Sequence, residues 1–157
     1  MNYTFTGETK QVNGVTVKRV LYANGTLGGW IEKESNLSKE GSCQVLDEAV
    51  VYNNAQVCGD AIIYGEAEVA GGALVYGTAE IYGNTLVTGE ARVYGQAQIF
   101  DNAKVYGEAW IYGNAAIFHE AKVSGNAEVF EDARIYRKSV INGDSIICGT
   151  TQIAMQD

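Results

Sequence analysis

Few side chains in this 157-residue sequence could act as chemical groups, and the first is its one histidine, His119. A histidine can serve as a general base near neutral pH. Three cysteines, Cys43, Cys58 and Cys148, are odd in number and include no CxxC pair, which argues against a disulfide framework or a zinc site. A basic group, Lys104, Lys122, Arg134, Arg137 and Lys138, could hold an anion or a nucleotide-like ligand beside Phe118 and Tyr136. Its alternative reading is solvated charge that relieves an acidic surface. A third set, Leu74, Tyr76, Arg92, Tyr94, Trp110, Tyr112 and Phe130, has the composition of interface hot spots, with Arg92 placed to stack on Trp110. Its alternative reading is aromatic rings packed along corners to cover the backbone. The sequence offers no phosphate-cradling loop, no clustered metal ligands and no Ser-His-Asp set, so neither metal nor cofactor is expected.

What positions these residues is a repeat. From Val45 an aliphatic residue recurs every six positions through Val51, Val57, Ile63 and onward to Ile153, giving eighteen complete hexads without an interruption. Four residues after each aliphatic comes a small residue, Ala in fourteen of the eighteen, with Thr85, Ser139, Ser145 and Thr151 as the others. A period of six fits no α-helix, and Val and Ile at one phase favour short strands. Glycines such as Gly65, Gly77, Gly95 and Gly113 stand in the turn, where the backbone needs a conformation that side chains resist. The expected fold is all-β: a left-handed parallel β-helix, a hexapeptide-repeat solenoid of about six coils.

Three hexads closing one triangular coil predict a further period of eighteen. The residues after every third aliphatic run Leu46, Tyr64, Tyr82, Phe100, Phe118, Tyr136 in one column and Cys58, Tyr76, Tyr94, Tyr112, Phe130, Cys148 in another. The column between them is mixed: Tyr52, Ala70, Thr88, Tyr106, Ser124, Asn142. Like therefore stacks on like. Cys58 and Cys148 fall five coils apart and cannot bridge, while Cys43 falls in a core slot. His119 occupies a turn slot, an ordinary exposed corner. Thr78, Thr88 and Thr150 occupy unrelated rows, so no ice-organising threonine ladder forms.

The N-terminal residues read differently. Val12-Asn13-Gly14-Val15 marks a hairpin turn between strands, and a solenoid needs its first coil covered. Residues 1–38 are assigned to this β cap and residues 39–157 to the solenoid. The C-terminal end is open to two readings, self-association or closure by Met155 and the tail. Nineteen acidic residues against eleven basic ones give a net charge of −8, which repels phosphate backbones and excludes general nucleic-acid binding. The opening MNYTFTGETK has no signal-peptide pattern and no apolar run nears the roughly 20 residues that span a bilayer, so a soluble, cytoplasmic protein is expected.

The repeat resembles that of the bacterial hexapeptide-repeat superfamily, many of whose members are trimeric acyltransferases. More narrowly, Gly28-Gly29-Trp30-Ile31-Glu32, Asn36-Leu37-Ser38, Gly41 and Cys43, followed by Val-Tyr-Gly-Asn-Ala units, resemble a group of left-handed β-helix proteins of bacteria and phages. The resemblance implies a homo-oligomer, a trimer before other states. If the chain were an acyltransferase working between subunits, it would use His119 as its base, yet no hexad admits the loop insertion that would shape a pocket. Phage-borne members imply another role, a counter-defence protein acting as an acidic-surface inhibitor or a sponge for a signalling nucleotide. The reading preferred here is a non-enzymatic binding or scaffold protein that presents flat aromatic and acidic faces to a protein partner, a small anionic ligand or its own copies.

Overall fold

In each hexad the two-residue strand turns one side chain inward, and the small residue two positions before the next aliphatic shares the core with it. Val45, Ile63, Ile81, Ile99, Ile117 and Ile135 are all fully buried, as are Ala49, Ala67, Ala91 and Ala109. The computed structural model describes residues 2–155. It is an all-β parallel solenoid with one short 3₁₀ turn, Glu34–Asn36. Three ladders form its faces. The first face runs from Gln44–Val45 to Gln152–Met155 and has seven strands. The third runs from Gln56–Val57 to Ile146–Ile147 and has six. Between them, the second face carries six short strands from Val50–Val51 to Val140–Ile141 behind the N-terminal strands. Every rung meets the residue eighteen places on, as in Glu80 with Gln98, Arg92 with Trp110 and Lys104 with Lys122.

About six coils were expected from the complete hexads, and the first face holds one rung more. Gln152–Met155 pairs over its whole length with Arg134–Arg137, so the last aliphatic, Ile153, belongs to a full strand. The parallel ladder also reaches back before the first hexad. Strand β1 (Tyr3–Val12) pairs antiparallel with β2 (Val15–Tyr22), β2 pairs antiparallel with β3 (Leu27–Ile31), and β3 then pairs parallel with Val50–Val51. Asn13 and Gly14, with φ of 49° and 80°, make the primed hairpin turn that an Asn-Gly pair selects.

The hairpin closes the end of the core. Tyr3, Val20 and Tyr22 join the buried cluster formed by Ile31, Leu37 and Val45. The Tyr22 hydroxyl accepts from Val45 N–H at 2.7 Å and donates to Val45 C=O at 3.0 Å, so one side chain satisfies both backbone groups of the first rung. Burial pushes the Tyr22 phenol up to about 12. Asn36, fully buried, satisfies the corner that leads into the third face: its amide donates to the carbonyls of Ala55 and Asn53 at 2.8 and 3.1 Å. Outside the second face, Val17, Trp30, Val50, Tyr52 and Ala70 form a separate buried cluster under the hairpin. Glu48 fastens it, accepting from Lys10, Arg19 and the Trp30 indole at 3.0, 2.8 and 3.0 Å, while Lys10 and Arg19 lie 4.4 and 4.8 Å from the Trp30 ring.

Corners stack as tightly as strands. Gly89 has φ of 71°, and a Cβ there would lie 2.6 Å from the carbonyl oxygen of Gly107 on the next rung. Where a corner carries a polar side chain instead, it recovers a hydrogen bond. Asp47 accepts from Gly65 N–H at 3.0 Å, Asp101 from His119 N–H at 3.1 Å and Glu131 from Gly149 N–H at 2.6 Å.

Candidate interaction surface

Backbone pairing leaves the outward side chains free of any duty to the ladder, so they distinguish one face from another. On the third face the outward row is Gln56, Leu74, Arg92, Trp110, Glu128 and Ile146, each in register with the next. Beside it, Tyr76, Tyr94, Tyr112 and Phe130 stack with ring centroids 4.8 Å apart and planes within 7° of parallel. Each such stacked pair contributes about 0.5–1.5 kcal/mol beyond the area it buries. Arg92 lies over Trp110, its guanidinium carbon 5.1 Å from the ring centroid. The Tyr112 hydroxyl donates to Glu128 at 3.3 Å. Burial first, and then the Glu128 carboxylate, push that phenol up to about 12.

The seven residues singled out for this surface thus lie on one face, in two adjacent rows. Trp110 is 38% exposed and Ile146 is 66% exposed. Ile146 went unnoticed in the sequence because its hexad, with Cys148 in the aromatic slot, breaks the aromatic column. The period of eighteen would have placed it in the same row.

The first face carries a second aromatic stack, Tyr64, Tyr82, Phe100, Phe118 and Tyr136, with centroids 4.7 to 5.1 Å apart. Its neighbouring row is polar or small apart from Ile62, running Gln44, Ile62, Glu80, Gln98, Ala116, Arg134 and Gln152. An aromatic stack is therefore a general device of this solenoid for covering corners, and the apolar and tryptophan-bearing row is what sets the third face apart.

The basic group does not assemble as a unit. Lys104 and Lys122 are register partners on the second face and line, with Lys138, a groove of about 740 Å³. Glu66, Glu68 and Glu120 line the same groove, so its potential is mixed. Arg137 lies in an adjoining cavity of about 580 Å³ with His119, Asp101 and Lys138. Arg134 stands apart on the first face, between Ala116 and Gln152. Arg137 ends the same strand at the corner, with φ of 59°, and it is that corner which separates Arg134 from Lys138.

His119 sits at an exposed corner with φ of 56°. Its Nδ1 accepts the Arg137 backbone N–H at 3.4 Å, and its Nε2 is 3.8 Å from Asp101. The three cysteines are free thiols, Cys43 buried and Cys148 exposed. Among the described residues no three His, Cys, Asp or Glu side chains are placed to hold a metal ion, and no helix is long and apolar enough to cross a membrane.

Residues 97–113, which include Tyr112, Trp110 and two full hexads, match a family model described as the YdcK beta solenoid repeat. A comparison with curated proteins finds none that matches. The period of eighteen, the three parallel ladders and this match together establish the chain as a β-solenoid repeat protein.

Proposed function

We propose that this solenoid is a non-enzymatic binding scaffold, homo-oligomeric, that works through its third face. The observation that carries the reading is the row itself. Trp110 and Arg92 project from a flat, rigid ladder, beside four stacked rings, at positions the fold leaves free. Tryptophan, tyrosine and arginine are the side chains that dominate interface energetics, because they bury much area at small entropic loss. A second copy or a protein partner is the occupant such a surface suits. The three free thiols suit a reducing compartment, and we place the scaffold in the cytosol.

The test is Trp110→Glu, with native mass spectrometry of the gently purified wild type and variant. Trp110 is outward, so the variant keeps the fold, which far-ultraviolet circular dichroism verifies. The expected result is loss of the assembled species or of a retained partner. An unchanged assembly with every partner still bound refutes the reading.

One observation favours a second reading, a site for a small anion on the second face. Lys104 and Lys122 are stacked in register, and among the described residues neither has an ion-pair partner. A fluorescent-nucleotide screen with no hit against wild type removes it.

A further inference from the structure

The outward row of the third face is self-complementary when read from both ends. Its order along the solenoid is Leu74, Arg92, Trp110, Glu128, Ile146, one residue per rung. About Trp110 as centre, Arg92 mirrors Glu128, and Leu74 mirrors Ile146. Opposite charges thus occupy equivalent places on either side of a tryptophan, and aliphatic residues flank both.

We infer that the third face binds the third face of a second copy, the two solenoids antiparallel about a two-fold axis that runs along the strand direction through Trp110. This rests on the reading of that face as the binding surface and names its occupant. A rotation about that axis turns the face toward its partner and reverses the order of the rungs, while each row still faces the same row. Trp110 then meets Trp110, each Arg92 meets the other copy's Glu128, and Leu74 meets Ile146. In the aromatic row, Tyr112 meets Tyr112 and Tyr94 meets Phe130. Parallel side-by-side packing would instead set Arg92 against Tyr94 and Glu128 against Phe130, leaving both charges without a counter-charge.

The monomer leaves these charges available. Arg92 and Glu128 are two rungs, about 10 Å, apart in one chain, and neither takes part in an ion pair among the described residues. The other two faces serve this role less well. The upstream half of the second face lies under the N-terminal hairpin, with Val50 and Tyr52 buried. Among the described residues the first face has no large exposed apolar side chain comparable with Trp110 in its outward row. A two-fold contact of this kind also closes on itself and needs no second surface. The row from Leu74 to Ile146 is about 19 Å long at about 4.8 Å per rung. That makes the contact small, so association is expected at micromolar concentrations.

The experiment is sedimentation equilibrium over roughly 1–100 μM on wild type, Arg92→Glu, Glu128→Arg, the double variant and Trp110→Glu. The wild type is expected at twice the subunit mass. Each single charge reversal places like charges together at two symmetric points and is expected to weaken association about tenfold or more. The double variant restores opposite charges in the antiparallel register alone, and recovers the wild-type constant to within about threefold. A monomeric or trimeric wild type, or a double variant that stays weak, overturns the antiparallel dimer. If Trp110→Glu still disrupts an assembly or releases a partner in those cases, the face remains the binding surface and only its occupant or register is lost. If no variant changes any assembly or partner, both readings fall.

Discussion

Substituting alanine at two corner glycines separates the cost of a backbone conformation from the cost of stacking. Gly89 and Gly143 have nearly the same φ, 71° and 64°. A Cβ at Gly143 meets nothing within 4 Å, whereas one at Gly89 would lie 2.6 Å from Gly107 O and 2.8 Å from Gly107 N. Both alanines suffer the left-handed penalty of about 1–2 kcal/mol, offset by about 0.4–1 kcal/mol from the stiffer unfolded chain. Gly143→Ala should therefore cost about 1 kcal/mol. At Gly89 the obstacle is backbone that is itself bonded, since Glu90 N–H donates to Gly107 C=O at 2.8 Å. Forcing those rungs apart adds about 1–3 kcal/mol, as overpacking does elsewhere. The two variants should differ in melting temperature by about 3–10 °C for a chain of this size. Melting followed by far-ultraviolet circular dichroism measures it, with urea midpoints as a second reading because long repeat arrays can lose two-state behaviour. Gly89→Asn should fall between them, since Asn53 already adopts φ of 56° and the corner carboxylates of Asp47 and Asp101 accept the next rung's N–H. Equal shifts for Gly89→Ala and Gly143→Ala would refute the claim that close corner stacking adds a penalty at Gly89 beyond that of its backbone conformation.

Three further outcomes are expected. Tyr22→Phe strips the partner from both Val45 N–H and Val45 C=O at the buried end of the core, and should lower stability by about 2–4 kcal/mol in urea titrations; a loss under about 0.5 kcal/mol would show that water replaces the hydroxyl. Thr85→Val should raise stability by about 1–3 kcal/mol. The Thr85 hydroxyl is buried and finds no partner among the described residues, whereas Ser139, Ser145 and Thr151 in equivalent slots donate to the carbonyl three residues earlier at 2.7 Å; a destabilised Thr85→Val would mean that the hydroxyl is satisfied in solution. The third concerns pH. Hydrogen bonds from Lys10 foremost, then Arg19 and Trp30, hold the Glu48 carboxyl at about 2, below its ordinary 4.5. A depressed acid stabilises the fold fully above its ordinary value and loses that contribution as pH falls toward the folded one. The stability gap between wild type and Glu48→Gln should thus be present at neutral pH and close between pH 4.5 and about 2. Glu48 is 54% exposed, so solvent screening keeps the gap within about 1 kcal/mol. A gap independent of pH would assign the effect to packing rather than charge.

Periodic features were legible, whereas of the aperiodic ones the Asn13-Gly14 turn was legible and the cap's side-chain contacts were not, for a physical reason. A coil constrains its residues through neighbours six and eighteen places away, so the columns Ile63, Ile81, Ile99 and Tyr76, Tyr94, Tyr112 announce themselves in one sequence. The cap obeys no such rule. Tyr22 reaches Val45 and Lys10 reaches Glu48 through contacts made once, and no spacing in the sequence points to them. Gly29 marks the same kind of place: a Cβ there would lie 2.6 Å from Ala49 O and 2.8 Å from a Val45 methyl, where β3 joins the stack. The basic group divides between faces for a related reason. Arg134 and Lys138 are four residues apart, but a corner intervenes, and hexad phase outweighs sequence distance in deciding which side chains meet.

The same division explains where function can reside in this molecule. Inward positions are held to Val, Ile and Ala by the width of the prism, and the backbone ladder is completed by main-chain bonds such as Arg92 N–H to Ala109 C=O and Trp110 N–H to Ala127 C=O. The outward row contributes little to either. A tryptophan at position 110 gains a contact with Arg92 worth about 0.5–1 kcal/mol at an exposed site, while much of its ring stays in water. Stability alone is served as well by the Gln98 and Ala116 that occupy comparable places on the first face. What Trp110 does gain from its place is symmetry, with opposite charges one rung away on either side and aliphatic residues two rungs away. Among the described residues Arg92 and Glu128 form no ion pair within the chain, and a second copy in the antiparallel register would supply one.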